Sequence, residues 1–358
     1  MKTLKILLAL AALVLVAGFA YVAHQGGGGT GIVSAAEVFV SSLTADQKKQ
    51  GVFDFDSEER FRWEFIPLQD QETRKYQRKG VPLEEMTADQ KKAALALVKA
   101  GTSDSGYVAV TTIMSLESIL REQEGPKSAM VRNPDWYFFT IFGTPSKTGK
   151  WGWRVEGHHL SLNFTMEGTQ VIASTPCFFG ANPAEVKGGP NKGKRILPEA
   201  EDFARDLFKS LTEDQKKVAL QSKAFGEPGE NSKAKGAGEA FKPRTKSPQV
   251  GKAVGVAGDK MTAEQKDILV KLLKSYTGRM PADIAALEWK QVADDGIDKV
   301  HFAFTGSTDP GKGYTYRVQG PSFVVEFLNI QADSAKNPAN HIHSCWRRIQ
   351  GDFGVKKG

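Results

Sequence analysis

Asp135–Phe164 reads DWYFFTIFGTPSKTGKWGWRVEGHHLSLNF, and Asp298–Phe327 reads DKVHFAFTGSTDPGKGYTYRVQGPSFVVEF. Laid together without a gap, the two segments share seven identities: Asp135/Asp298, Phe139/Phe302, Gly143/Gly306, Arg154/Arg317, Val155/Val318, Gly157/Gly320 and Phe164/Phe327. Trp151/Tyr314, Trp153/Tyr316 and Leu162/Val325 add conservative pairs, so an internal duplication is the natural reading. The aromatic and β-branched run Asp135–Gly143 ends at a Gly-Thr-Pro-Ser turn and predicts a strand. Trp151–Phe164 predicts the returning strand of a hairpin, and Gln170–Phe179 a third.

Working outward, a helix start signal recurs four times: LTADQKK at Leu43, MTADQKK at Met86, LTEDQKK at Leu211 and MTAEQK at Met261. Each places Thr at the N-cap and Gln three residues later, the capping-box arrangement. Apolar residues at helical spacing follow, among them Ala93, Ala94, Leu97 and Val98 after the second and Ile268, Leu269, Leu272 and Leu273 after the fourth. The fold class expected is therefore α+β: two diverged copies of a helix-plus-antiparallel-hairpin unit packed into one pseudo-symmetric body. Residues 37–222 form the first half and 259–358 the second.

The remaining segments read as accessory. Lys2 and Lys5 followed by the apolar run Ile6–Ala23 predict an export signal or a retained membrane anchor, with 1–36 including a Gly-rich spacer at Gly26–Gly31. Cleavage sites offer themselves at Ala17-Gly-Phe-Ala20 and Ser34-Ala-Ala36, and either outcome places the protein in the periplasm or cell envelope. Residues 223–258 read as a disordered basic linker, because Lys223–Lys252 holds seven basic and three acidic residues among Gly, Ala and Pro. Much of the formal charge of +7 sits there. With no aromatic-rich basic motif, the charge does not point to a nucleic-acid partner.

The chemistry concentrates in two places. His158–His159 and the HxH pair His341 and His343 hold four of the six histidines. The HxH spacing projects both imidazoles to one side of a strand, suited to a divalent cation: zinc first, with copper or iron as alternatives. On a continuous strand His158 and His159 face opposite ways, so His159 is the favoured ligand. His158 is then either a core residue or part of the site across a bulge at Gly157. Glu326 occupies the position equivalent to Asn163, from which a twofold arrangement could bring it to the same centre. Glu156 or Glu326 would serve as general base, and Arg154 or Arg317 would position a small anionic substrate.

Cys177 and Cys345 permit a disulfide outside the cytoplasm. Cys345, two residues from His343, offers a thiolate to copper, and buried free thiols are the remaining reading. No G-x-S-x-G, H-E-x-x-H, P-loop or dinucleotide fingerprint is present. The functional expectation is a metal-dependent enzyme, a hydrolase first. The alternatives are a non-catalytic cell-envelope binding protein and a copper-dependent oxidoreductase.

EGHHLSLNF at Glu156, FGTPS at Phe142, FFGANPAEV at Phe178, YRVQGPSFVVEF at Tyr316 and NHIHSCW at Asn340 together resemble the exported bacterial proteins grouped as domain-of-unknown-function family 3500. The resemblance runs from about Leu43 to Gly354, with the Lys223–Lys252 stretch as an insertion. It implies the module and export, and assigns no activity. Arg348 stands where an acidic residue is expected after Trp-Arg.

Overall fold

A computed structural model describes residues 28–229 and 244–355. The export-signal run and the centre of the basic stretch, 230–243, lie outside the described residues.

Eight α-helices and one mixed sheet of twelve strands make up the described chain. The helices are α1 (Gly29–Ser42), α2 (Ala45–Gly51), α3 (Ala88–Gly101), α4 (Asp104–Glu124), α5 (Pro198–Ser210), α6 (Glu213–Ala219), α7 (Ala263–Thr277) and α8 (Ala282–Asp295). The strands are β1 (Val52–Phe53), β2 (Val81–Pro82), β3 (Tyr137–Phe142), β4 (Lys150–Gly157), β5 (Leu160–Glu167), β6 (Gln170–Ala173), β7 (Cys177–Ala181), β8 (Val256–Ala257), β9 (His301–Gly306), β10 (Tyr314–Gln319), β11 (Phe323–Gln331) and β12 (His341–Arg348). The sheet runs β1-β3-β4-β5-β7-β12-β11-β10-β9-β8, with β2 beside β3 and β6 beside β5. Among the described strands only β1 and β3 pair in parallel, and the α+β class is as expected.

Period-two patterning assigns the two sheet faces. Trp153, Val155, Leu160, Leu162, Phe164, Phe179, Ile342, Trp346, Val325, Phe327 and Tyr316 are buried in one core together with α1, α3, α4, α5 and α7. Each large side chain moved from water contributes about 1.5–3 kcal/mol. Trp153 and Phe164 stack at 4.4 Å, and Gly101 of α3 lets them do so: a Cβ there would meet the Trp153 ring at 2.5 Å. The opposite face carries Arg154, Glu156, Ser161, Asn163, Phe178, Cys345 and Arg347, as the pairings Glu156 with Ser161, Ser161 with Phe178 and Phe178 with Cys345 require. Trp63, Phe65 and Phe353 cover it with a second, smaller apolar cluster.

All four capping boxes form, and they meet in pairs. The Gln47 and Gln90 carboxamides bond each other at 3.1 and 2.8 Å, while their Nε2 atoms also reach Glu85 O and Ser42 O. Gln215 and Gln265 repeat this with Lys260 O and Ser210 O. Glutamate would cap a helix equally well but has no N–H to donate, which accounts for glutamine at all four positions.

Several expectations change. Trp151–Phe164 is two strands: the chain reverses at His158–His159, and β4 and β5 pair from Gly157/Leu160 outward. The alternating faces drawn through both histidines therefore do not apply. Gln170–Phe179 likewise divides into β6 and β7. Gly29–Gly31 belong to α1, where Gly29, Gly31, Ile32 and Val33 are buried. The described flanks of the basic stretch are packed: Arg244 pairs with Glu64 at 3.0 Å, Arg347 holds Thr245 O at 2.7 Å, and Val256–Ala257 are β8. No described helix is long and apolar enough to cross a membrane.

Candidate metal centre

The two-residue turn between β4 and β5 puts His159 in the left-handed region, at φ 64°. Its N–H donates to Phe65 O and its carbonyl accepts from Gly180 N, both at 2.8 Å, so the backbone is clamped on both sides. Gly180 has to be small, because a Cβ would lie 2.7 Å from Ile342 O and 2.9 Å from the His159 ring. On β12, His341 and His343 project to one side, as the HxH spacing predicts. A register shift in β11 between Leu328 and Gln331 lies opposite them, and Asn329 Oδ1 accepts from His341 N at 3.1 Å.

These elements bring three Nε2 atoms together. His159 to His341 is 2.7 Å, His341 to His343 is 3.1 Å and His159 to His343 is 3.2 Å. His159 and His343 are buried and His341 is partly exposed. Zinc held at 2.0–2.1 Å by tetrahedrally disposed nitrogens sets them about 3.4 Å apart, so His343 need move only slightly from the other two rings while His159 and His341, at 2.7 Å, spread by about 0.7 Å. Burial, then the charges of neighbouring histidines, pushes His159 well below the ordinary imidazole range. Burial and His343 push His341 down to about 2. Neutral imidazoles are the ligand form.

Glu227 orients the third ring, its Oε2 lying 2.6 Å from His343 Nδ1. Gln331 Nε2 donates to the other oxygen at 3.3 Å. Burial raises the Glu227 pKa, but the His343 hydrogen bond and charge and Arg244 outweigh it, leaving the group a carboxylate below its usual range. With Nδ1 as donor, Nε2 of His343 is left with its lone pair toward the cluster. Phe65, edge-on to His343 at 5.0 Å and stacked on Phe178 at 3.8 Å, forms an apolar wall.

Glu227 escaped the sequence reading because it lies in the stretch taken as linker. Only its place in Phe225-Gly-Glu-Pro-Gly, a turn-forming run, marked it. His158 is near but separate: its ring lies 3.8 Å from that of His159, while Nδ1 is held by Glu117 and Arg132.

The four proposed acid–base and anion-binding residues are engaged elsewhere. Glu156 takes Arg78 at 3.1 Å, Arg154 at 3.3 Å and Glu64 N at 3.1 Å. Arg154 holds the Glu59 carboxylate at 2.8 Å and the carbonyls of Glu59 and Arg62. Arg317 and Glu326 pair with each other at 2.6 Å. The structure thus does not bring Glu326 into a shell with the histidines. Both cysteines are free thiols. Cys177 pairs with Trp346 and Cys345 with Phe178, so the two side chains point to opposite faces of the sheet and cannot bridge. Burial holds the Cys345 thiol well above its usual range, and it stands outside the histidine cluster.

Three buried or partly buried histidines can therefore hold a metal ion through three nitrogens. Among the described residues no fourth histidine, cysteine or carboxylate joins them. No curated protein and no solved structure matches this chain. The family model described as Protein of unknown function (DUF3500) matches residues 26–355, nearly the whole chain, and the protein belongs to that family.

Proposed function

We propose that this family member is a metal-dependent hydrolase whose centre is His159, His341 and His343. The observation that carries the reading is the triangle of three Nε2 atoms spanning 2.7 to 3.2 Å, assembled from segments far apart in the chain. Structural zinc sites close with four protein ligands, whereas three leave a position for water or substrate. A divalent cation there would act as a Lewis acid and bring a bound water toward neutral pKa. Glu227 keeps the His343 ring in one orientation and tautomer, Gly180 leaves room for His159, and Phe65 and Phe178 exclude water from one side. Neutral imidazoles also suit copper and iron, but with Cys345 outside the cluster the donor set is nitrogen alone.

The same reading includes export and duplication. Lys2, Lys5 and the apolar run Ile6–Ala23 support export, and cleavage at Ser34-Ala-Ala36 is disfavoured because it would cut α1 through its buried Ile32–Ala36 turn. Paired capping boxes, and hairpins in equivalent order on either side of the β7–β12 pair, support two copies of one unit. The functional test is a panel of chromogenic carboxylic and phosphate esters offered to zinc-loaded protein. Turnover that disappears with chelation and in His341→Ala supports the proposal. A loaded wild type that turns over none of them, or turnover that survives in the variant, contradicts it.

A further inference from the structure

Six arginines are buried among the described residues: Arg60, Arg78, Arg154, Arg279, Arg347 and Arg348. Five bond oxygen acceptors: Arg60 the carbonyls of Phe55 and Phe353, Arg78 and Arg154 Glu156, Arg347 Asp352, and Arg348 Glu288. Arg279 is the exception. It is 8% exposed, and its guanidinium lies over the rings of Tyr276 at 4.7 Å and Phe179 at 5.0 Å. Among the described residues it has no ion pair and no side-chain hydrogen bond, and none of its nitrogens is sealed from solvent.

What Arg279 faces is a cavity of about 220 Å³, lined also by Ser105, Ile196, Glu199, Ala200 and Lys274. The backbone around it is fixed, since Ser103 N donates to Arg279 O at 2.9 Å and Ser103 Oγ to Gly278 O at 2.7 Å. On the facing wall, α5 begins without a side-chain cap: Leu197 is its N-cap and Pro198 has no N–H. Glu199 and Ala200 line the same cavity, and their N–H groups take no partner among the described residues. A helix start with free N–H groups attracts anions, and a guanidinium with no protein acceptor but with nitrogens open to solvent is able to take one. Glu199, the single carboxylate on the lining, is exposed and makes no ion pair with Arg279 or Lys274.

We propose that this cavity is a binding site for a small oxyanion, a carboxylate or a phosphate, held between the Arg279 guanidinium and the open N-terminus of α5. Ile196, Leu197 and Ala109 give a short apolar wall suited to a ligand with a small hydrocarbon part, while Lys274, also on the lining, carries its ammonium 5.0 Å over the Trp289 ring. The site is independent of the histidine centre, and neither needs the other to be occupied.

The test is calorimetric titration of the metal-free full chain with inorganic phosphate and, separately, with butyrate at constant ionic strength. Saturable binding of at least one anion is expected, and the tighter of the two gives the ligand class. Arg279→Gln should weaken it by roughly tenfold or more, as expected for loss of a charge-assisted bidentate contact. Because Arg279 also packs on two rings, Ser105→Trp serves as a second variant. Ser105 is exposed on the first turn of α4, so the indole obstructs the mouth without disturbing the core, and it should abolish binding. Absence of saturable binding for both anions overturns the proposal, as does binding that survives unchanged in either folded variant.

Discussion

Replacing Glu227 isolates what the loop contributes to the histidine centre. Its Oε2 lies 2.6 Å from His343 Nδ1, and among the described residues its other oxygen accepts only from Gln331, at 3.3 Å. Glu227→Gln keeps the size and one acceptor but removes the charge, which roughly halves the strength of such a bond. Glu227→Ala removes orientation as well. Loss of a carboxylate behind a ligating imidazole lowers metal affinity by roughly 10- to 100-fold, so glutamine should cost about 1.4 kcal/mol and alanine about 2.7 kcal/mol of zinc binding. The assay is zinc competition against a chromophoric chelator near neutral pH, with Glu326→Gln as comparison. Glu326 bonds Arg317 rather than an imidazole, so its replacement should lower stability and leave zinc affinity unchanged. If Glu227→Ala bound zinc as tightly as the wild type, or Glu326→Gln lost as much, the assignment of the supporting carboxylate would be refuted.

Three further outcomes follow from named contacts. Gly180→Ala introduces a Cβ 2.7 Å from Ile342 O and 2.9 Å from the His159 ring; overpacking of about 1–3 kcal/mol is expected, read by chemical denaturation, together with weaker zinc binding. Gln90→Glu keeps the cap acceptor for Thr87 N but loses the donations to Ser42 O and Gln47 Oε1, leaving buried acceptors face to face at a cost of about 2–4 kcal/mol, whereas the same change at a lone exposed cap would be near neutral. Glu124 is raised by burial but pulled down to about 2 by hydrogen bonds from Arg132, Ser128 and Ser334 and by the Arg132 charge. Because its folded pKa is depressed, its stabilisation is present above the ordinary glutamate value near 4.5 and is lost as pH falls from there toward 2; denaturation midpoints should fall across that window, and Glu124→Gln should flatten the slope.

The strands and helix starts were legible because their signals are local. Thr and Gln three apart at four helix starts, and the aromatic and β-branched residues concentrated in β3 and β10, need no knowledge of the tertiary fold. The HxH pair was legible for the same reason, since residues two apart on a strand share a side. The turn at His158–His159 was not: Gly157-His-His-Leu160 lacks the Asn-Gly or Asp-Gly pair that usually marks a two-residue hairpin, and His159 reaches positive φ through hydrogen bonds to Phe65 and Gly180. Nor could spacing reveal that Glu156 would be taken by Arg78 and Arg154, because Arg78 reaches it across the sheet from a loop. Glu227 was hidden by its surroundings, a lysine- and glycine-rich composition that looks unstructured on both sides of one ordered turn.

The most direct measurement is elemental analysis of untagged protein purified without chelator, alongside a His341→Ala/His343→Ala double variant checked for retained helix and strand content. The account predicts about one equivalent of zinc, copper or iron in the wild type and none in the folded variant. A wild type that is folded, free of metal and unable to take up any of these cations would contradict it.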